Sequence, residues 1–186
     1  MSRLLSNLFE DALRSTWARA RLCGRALVLA VLAASVLPVH AQAAKEPTKL
    51  VLSIEAAPGV NPDSSLRPSP IKVRIYELKD PGAFAEADYF SLDATDKLTL
   101  AADMLARDEF ILRPGESRSI ERKSNAQTTA IGVLAGYRDL PNSTWRVVHK
   151  LKEAPEASWM RALIPANRAE LSIQLQPQGI ALTEKP

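Results

Sequence analysis

The sequence predicts an all-β sandwich of seven to eight short strands with one short helical insertion. Three observations carry that prediction. Along residues 49–186, short segments place apolar residues at every second position, the period of a half-buried strand. Turn signals built from Pro, Gly, Asn and Asp separate these segments. Only the stretch from Phe84 to Met104 shifts to a helical period, so strands do not alternate with helices and a parallel α/β fold is disfavoured. Thirteen prolines against seven glycines agree, because proline suits loops and strand edges better than long helices.

Taken in order, Lys49–Ala56 alternates with Leu50, Leu52 and Ile54 on one face. A loop of about fourteen residues follows, 57–70, with prolines at 58, 62, 68 and 70 and no apolar period. The next segment, Ile71–Leu78, puts Ile71, Val73, Ile75 and Glu77 on one face and Lys72, Arg74 and Tyr76 on the other. Lys79-Asp80-Pro81-Gly82 turns the chain into the helical stretch, where Asp93 and Thr95 are the expected caps or breaks. Residues 102–112 read as a mixed segment that closes on Arg113-Pro114-Gly115-Glu116, a turn. Ser117–Arg122 is polar around Ile120 and is expected at a sheet edge. Thr128–Tyr137 is the most apolar run of the body, as for a central strand covered on both faces, and its two glycines imply close approach of a neighbouring backbone. Thr144–Leu151 alternates with Trp145, Val147 and His149 on one side. After a polar connection, in which Trp159–Ile164 forms a short strand or turn, Glu170–Gln176 and Ile180–Thr183 read as a closing hairpin around Pro177-Gln178-Gly179.

The front of the chain differs from this body. Residues 1–43 hold five Lys/Arg and two acids and so carry the whole net charge of +3. Residues 44–186 sum to zero, so the basic excess says nothing about nucleic acid binding by the body. From Ala26 to Leu37 the chain has twelve uncharged residues behind Arg19, Arg21 and Arg25, with small residues after them. That order is the secretory signal pattern, and twelve helical residues cover roughly 18 Å, too short for a hydrocarbon core of about 30 Å. The expected organisation is therefore a signal peptide at 1–43, a short polar linker at 44–48 and the sandwich at 49–186. Cleavage before Gln42 and before Ala44 both satisfy the small-x-small rule. Residues 4–20 carry apolar residues near helical spacing, which fits an over-long n-region or an amphipathic helix at a membrane surface. Cys23, the one cysteine, precedes the apolar run, so the exported product is expected to have no disulfide and no thiolate chemistry.

Catalytic signatures are sparse. One histidine, His149, belongs to the body, and it sits mid-strand among apolar neighbours, the place of a packed histidine rather than a catalyst. No G-x-S-x-G elbow, P-loop or G-x-G-x-x-G occurs. Asp93, Asp96 and Asp103 lack the spacing of a calcium loop, and the adjacent Asp108 and Glu109 point to opposite faces of a strand. No catalytic residue, metal or cofactor is expected. The loop 57–70 stands out instead. Its prolines lower the entropy lost on binding, Asn61 and Asp63 suit side-chain turns around Pro62, and Arg67, Ser64, Ser65 and Ser69 offer hydrogen bonds. Composition alone leaves open a partner-binding element and a plain long connection.

Several strings then resemble one family. Asn61-Pro62-Asp63 followed by Arg67-Pro68-Ser69-Pro70-Ile71-Lys72-Val73-Arg74-Ile75-Tyr76-Glu77-Leu78 is similar to the outer-membrane lipoprotein of the type VI secretion system, the TssJ (SciN/VasD) family. Phe84-Ala85-Glu86-Ala87-Asp88-Tyr89-Phe90-Ser91-Leu92, Leu112-Arg113-Pro114-Gly115-Glu116-Ser117, and Ala135-Gly136-Tyr137-Arg138-Asp139-Leu140 with Trp145-Arg146 keep the family's order over about residues 50–176. The resemblance implies a transthyretin-like β-sandwich with a helical insertion. It also implies a non-enzymatic periplasmic subunit that holds the periplasmic C-terminal domain of TssM, with TssL in the same membrane complex. In the family the loop between the first two strands contributes to the TssM contact. Here that points to Asn61, Pro62, Asp63, Ser64, Ser65, Leu66, Arg67, Pro68 and Ser69 as partner-binding residues. One departure stands out: residues 38–48, PVHAQAAKEPT, contain no cysteine to acylate, where family members carry a lipid anchor in the inner leaflet of the outer membrane. The alternative from another class is a soluble periplasmic carrier of small ligands, which rests on fold analogy alone.

Overall fold

The structure is a computed structural model and describes residues 45–153 and 167–185. The signal-peptide reading of 1–43, with Cys23, and the reading of Trp159–Ile164 lie outside the described residues. Eight strands form two four-stranded sheets. They are β1 (Lys49–Ala56), β2 (Ile71–Leu78), β3 (Met104–Leu112), β4 (Ser117–Lys123), β5 (Ala130–Ala135), β6 (Arg146–Lys150), β7 (Arg168–Gln176) and β8 (Gly179–Lys185). One sheet has the order β4-β1-β7-β8 and the other β3-β2-β5-β6. All pairings are antiparallel except β1 with β7, which run parallel with Leu52 opposite Leu171 and Ile54 opposite Ile173.

The period-2 pattern explains the sandwich directly. Leu50, Leu52 and Ile54 of β1 and Leu171, Ile173 and Leu175 of β7 meet Ile71, Val73 and Ile75 of β2 and Ile131 and Val133 of β5, all at 0–1 % exposure. Each such side chain contributes roughly 1.5–3 kcal/mol by leaving water. The edge position expected for Ser117–Arg122 holds, since β4 ends its sheet and is exposed except at the half-buried Ile120 and Arg122.

The second sheet is covered on its outer face as well. Between β2 and β3 lie α1 (Gly82–Glu86) and α2 (Tyr89–Leu100), followed by a short 3₁₀ turn at Ala101–Asp103. Phe84, Leu92 and Leu100 pack there on Tyr76, Leu78, Ala130 and Leu134. This is why β5 is buried at every position, as its apolar run predicts. Asp88 caps α2 by accepting from the amide of Ser91, whose hydrogen bonds hold the Asp88 carboxyl below the usual carboxylate range. The expected break at Thr95 is present, with φ −137° and ψ 34° inside the helix. Asp93 is no cap; its carboxylate pairs with Lys72.

Two details differ from the sequence reading. The mixed segment 102–112 is mostly a nine-residue strand, β3, whose alternation is hidden because its inward row carries the charged Asp108, opposite Ile75 and paired with Arg122, while Ile111 faces outward at 65 % exposure. The close approach at the two glycines comes from side chains, not from a backbone. A Cβ on Gly132 would lie 2.9 Å from Cε1 of Phe84 and 3.0 Å from Cδ1 of Leu78, and one on Gly136 would lie 2.9 Å from the Tyr89 hydroxyl. Phe84 and Leu78 are themselves fully buried and cannot step aside. Gly132→Ala is therefore expected to cost about 1–3 kcal/mol, read as a lower urea midpoint at unchanged m-value.

Candidate functional site

The connections β1–β2, β3–β4, β5–β6 and β7–β8 gather at one end of the sandwich. Backbone hydrogen bonds tie that end together: Ala57 N to Leu175 O (2.9 Å), Gly115 N to Ala56 O (3.0 Å) and Thr144 N to Gln178 O (3.0 Å). Tyr137 adds a bond from its hydroxyl to Gln176 O at 3.1 Å, and burial pushes that phenol's pKa up.

The loop 57–70 is built as a frame with a tip. Its frame is Val60, Asn61 and Ser69, all buried, closed by Ser69 N donating to Val60 O at 3.1 Å. Asn61 takes φ 49°, a left-handed conformation that Asn tolerates better than most residues. Its side chain does not turn around Pro62; it donates to Pro70 O at 2.9 Å and accepts from the Arg138 amide at 2.8 Å. Asp63 does make the expected side-chain turn. It accepts from the amides of Ser65 (2.9 Å) and Arg67 (3.0 Å) and from Arg67 Nε (2.8 Å). The backbone closes the same ring, with Asp63 N donating to Arg67 O and Leu66 N to Asp63 O, each at 2.9 Å.

Ser64, Ser65, Leu66, Arg67 and Pro68 form the exposed tip. Leu66 sits at its crest with φ 62° and 82 % exposure. An exposed leucine in left-handed backbone is held there by its surroundings, at a cost of roughly 1–2 kcal/mol. Of the nine residues singled out in the sequence, Ser64 to Pro68 thus face outward, Pro62 and Asp63 are half-buried, and Asn61 and Ser69 are committed to the frame. Sequence reasoning missed Arg138, which reaches the loop from the β5–β6 connection; a contact across 77 residues leaves no local signal.

Hydrogen bonds from the Arg67 backbone and side chain hold the Asp63 carboxyl below the usual carboxylate range. A depressed carboxylate pKa supports the folded loop above the unfolded value, roughly 3.9, and the support disappears as pH falls through the folded pKa. The carboxylate's bonds are thus in place at neutral pH, and the two backbone bonds of the ring do not titrate. Asp63→Ala should speed hydrogen exchange at the Ser65 and Arg67 amides at neutral pH, while exchange in β1 and β7 stays as in the wild type.

Elsewhere, His149 lies at the seam between β6 and β8. Its Nε2 is buried, 3.5 Å from Glu184, and makes no hydrogen bond; no serine is bonded to the ring among the described residues. The three aspartates of the insertion do not converge on an open site. Asp93 pairs with Lys72, and Asp96 accepts from Arg107 at 2.6 Å and Tyr76 at 3.1 Å. Burial pushes the Asp96 carboxyl up, yet these two donors outweigh it and hold it low. Among the described residues, no group of three or more His, Cys, Asp or Glu side chains is placed to hold a metal ion.

Comparison with known proteins gives the site its context. The family described as type VI secretion lipoprotein, VasD, EvfM, TssJ matches residues 48–178. Among solved structures, the chain is similar to the T6SS lipoprotein TssJ1 from Pseudomonas aeruginosa, at 39% identity and TM-score 0.65, covering 75% of this chain and 98% of that one. It is similar to a chain of the type VI membrane complex at 28% identity and TM-score 0.59, covering 76% and 100%. It is also similar to a chain of the structure described as the T6SS protein TssM C-terminal domain from EAEC, at 30% identity and TM-score 0.55, covering 73% and 99%. No curated protein matches.

Proposed function

This chain belongs to the type VI secretion lipoprotein family, and from that premise we propose that it binds the periplasmic C-terminal domain of TssM through the loop 57–70. It serves as a non-enzymatic periplasmic subunit of the secretion membrane complex, in which TssL is a further component. The family is a structural component of the secretion machine, and similarity to chains of a type VI membrane complex and of a TssM structure supports this role. The observation that carries the loop assignment is the Asp63 ring. An exposed five-residue tip would ordinarily sample many conformations, yet here Asp63 fixes it with three hydrogen bonds. Such preorganisation lowers the ordering cost of a protein contact. The carrier alternative gains no support from the space between the sheets, where apolar side chains of both sheets meet and Arg122 pairs with Glu77 and Asp108.

The test keeps the frame and changes the tip. Replacing residues 64–68 of the full chain by a Gly/Ser segment of equal length leaves Asn61 and Ser69 in place. Co-purification with the TssM periplasmic domain should be lost while the β-type circular dichroism is unchanged. Full retention of binding would place the contact on another face of the sandwich and overturn the assignment.

A further inference from the structure

We infer that the partner surface is a platform of two loops, in which Asn61 fastens the β1–β2 loop to the β5–β6 loop and Arg138 offers the cationic contact for a carboxylate on the TssM periplasmic domain. The inference rests on the TssM reading above and extends it to a loop that reading does not use.

Asn61 carries a donor group, its NH2, and an acceptor oxygen on a short side chain, and it uses them in different directions. The donor closes the far end of its own loop at Pro70, and the acceptor takes the Arg138 amide. At 4 % exposure, its role is internal. Aspartate would lack the donor, and alanine would leave both Pro70 O and the Arg138 amide without that partner. On the far side of the joint, Tyr137 is buried and anchored to Gln176, so the backbone that presents Arg138 is held from two directions.

The Arg138 side chain is different. It is exposed, and no hydrogen bond or ion pair engages it among the described residues. Its charge is felt by Asp63, but that carboxylate is already occupied by Nε and Nη2 of Arg67 at 2.8 Å each. Beside the stapled tip there is thus a guanidinium on an anchored backbone with its donors unspent among the described residues. Arginine is enriched at protein interfaces, and its planar fork suits bidentate capture of a carboxylate. In the open such a pair adds little, whereas under a partner, with water excluded, it counts for much more.

Three variants of the full chain, titrated calorimetrically with the purified TssM periplasmic domain, test this. Arg138→Glu changes an exposed side chain and should leave circular dichroism and unfolding midpoint as in the wild type, while affinity falls at least about tenfold. Arg138→Lys should recover only part of that loss, because a point charge cannot reproduce the fork. Asn61→Gly keeps the left-handed backbone accessible but cuts both hydrogen bonds. It should raise hydrogen exchange at the Arg138 amide and lower affinity by about tenfold. If Arg138→Glu and Asn61→Gly bind like the wild type while the tip replacement abolishes binding, the platform is wrong and the single-loop contact stands. If the tip replacement binds like the wild type, the TssM assignment fails and the platform falls with it.

Discussion

Arg74→Ala should lower the unfolding free energy by about 3–5 kcal/mol, the range for removing one partner from a buried charged network. Arg74 is 7 % exposed on the outer face of β2. Its Nη1 donates to the carbonyls of Leu92 (2.8 Å) and Asp93 (2.9 Å), and its Nε pairs with Glu109 of β3. One side chain thereby fastens the helical insertion to two strands. Alanine would leave the Leu92 and Asp93 carbonyls without this donor and remove the cation that lies 3.8 Å from the buried Asp96 carboxylate. Arg74→Lys should recover part of the loss, since charge returns but the planar fork that reaches the carbonyls through Nη1 and Glu109 through Nε does not. Equilibrium urea unfolding reads both values. A loss below about 1 kcal/mol for the alanine variant would mean that Phe84, Leu92 and Leu100 hold the insertion by apolar packing alone.

Glu77→Ala is expected to be nearly as costly, also about 3–5 kcal/mol. Glu77 is the polar end of an otherwise apolar inward row, and it is 1 % exposed. It accepts from Arg122 Nε (2.8 Å), the Asn125 amide (2.8 Å) and the Thr128 hydroxyl (2.9 Å). Arg122 stands on β4, in the opposite sheet, so this pair crosses the sandwich and also engages Asp108 of β3. Without Glu77, Arg122, whose Nη2 already makes no hydrogen bond, would be left with Asp108 alone in a partly buried site. Glu77→Gln preserves shape and hydrogen-bonding oxygen, so its cost should be smaller, about 1–3 kcal/mol. Equal losses for the alanine and glutamine variants would show that the charge, rather than the hydrogen bonds, holds the two sheets at this end.

The part of the fold written in the sequence is the part governed by short-range period. Leu50, Leu52 and Ile54, or Leu171, Ile173 and Leu175, alternate because one face meets a core, and the structure buries those faces. β3 is harder to read because its inward row holds Asp108, whose partner Arg122 comes from the opposite sheet, and its outward row holds the apolar Ile111. Likewise, Glu77 reads as an odd polar member of an apolar row until Arg122 and Thr128 arrive from 45 and 51 residues away. For the site, proline spacing marks the loop and the short reach of Asp63 explains its turn. The division into frame and tip was not legible, because it depends on Asn61 meeting Arg138 through folding.

The parallel pairing of β1 with β7 has a consequence for how the domain comes into being. Its first strand has a neighbour on one side from the middle of the chain, β4, and on the other from nearly the end, β7. Closing so wide a separation is entropically demanding and slow. A chain emerging amino end first would hold β1 with an open edge until β7 arrived. A polypeptide shortened before Arg168 is thus expected to leave that edge of β1 unpaired rather than to form a smaller working domain.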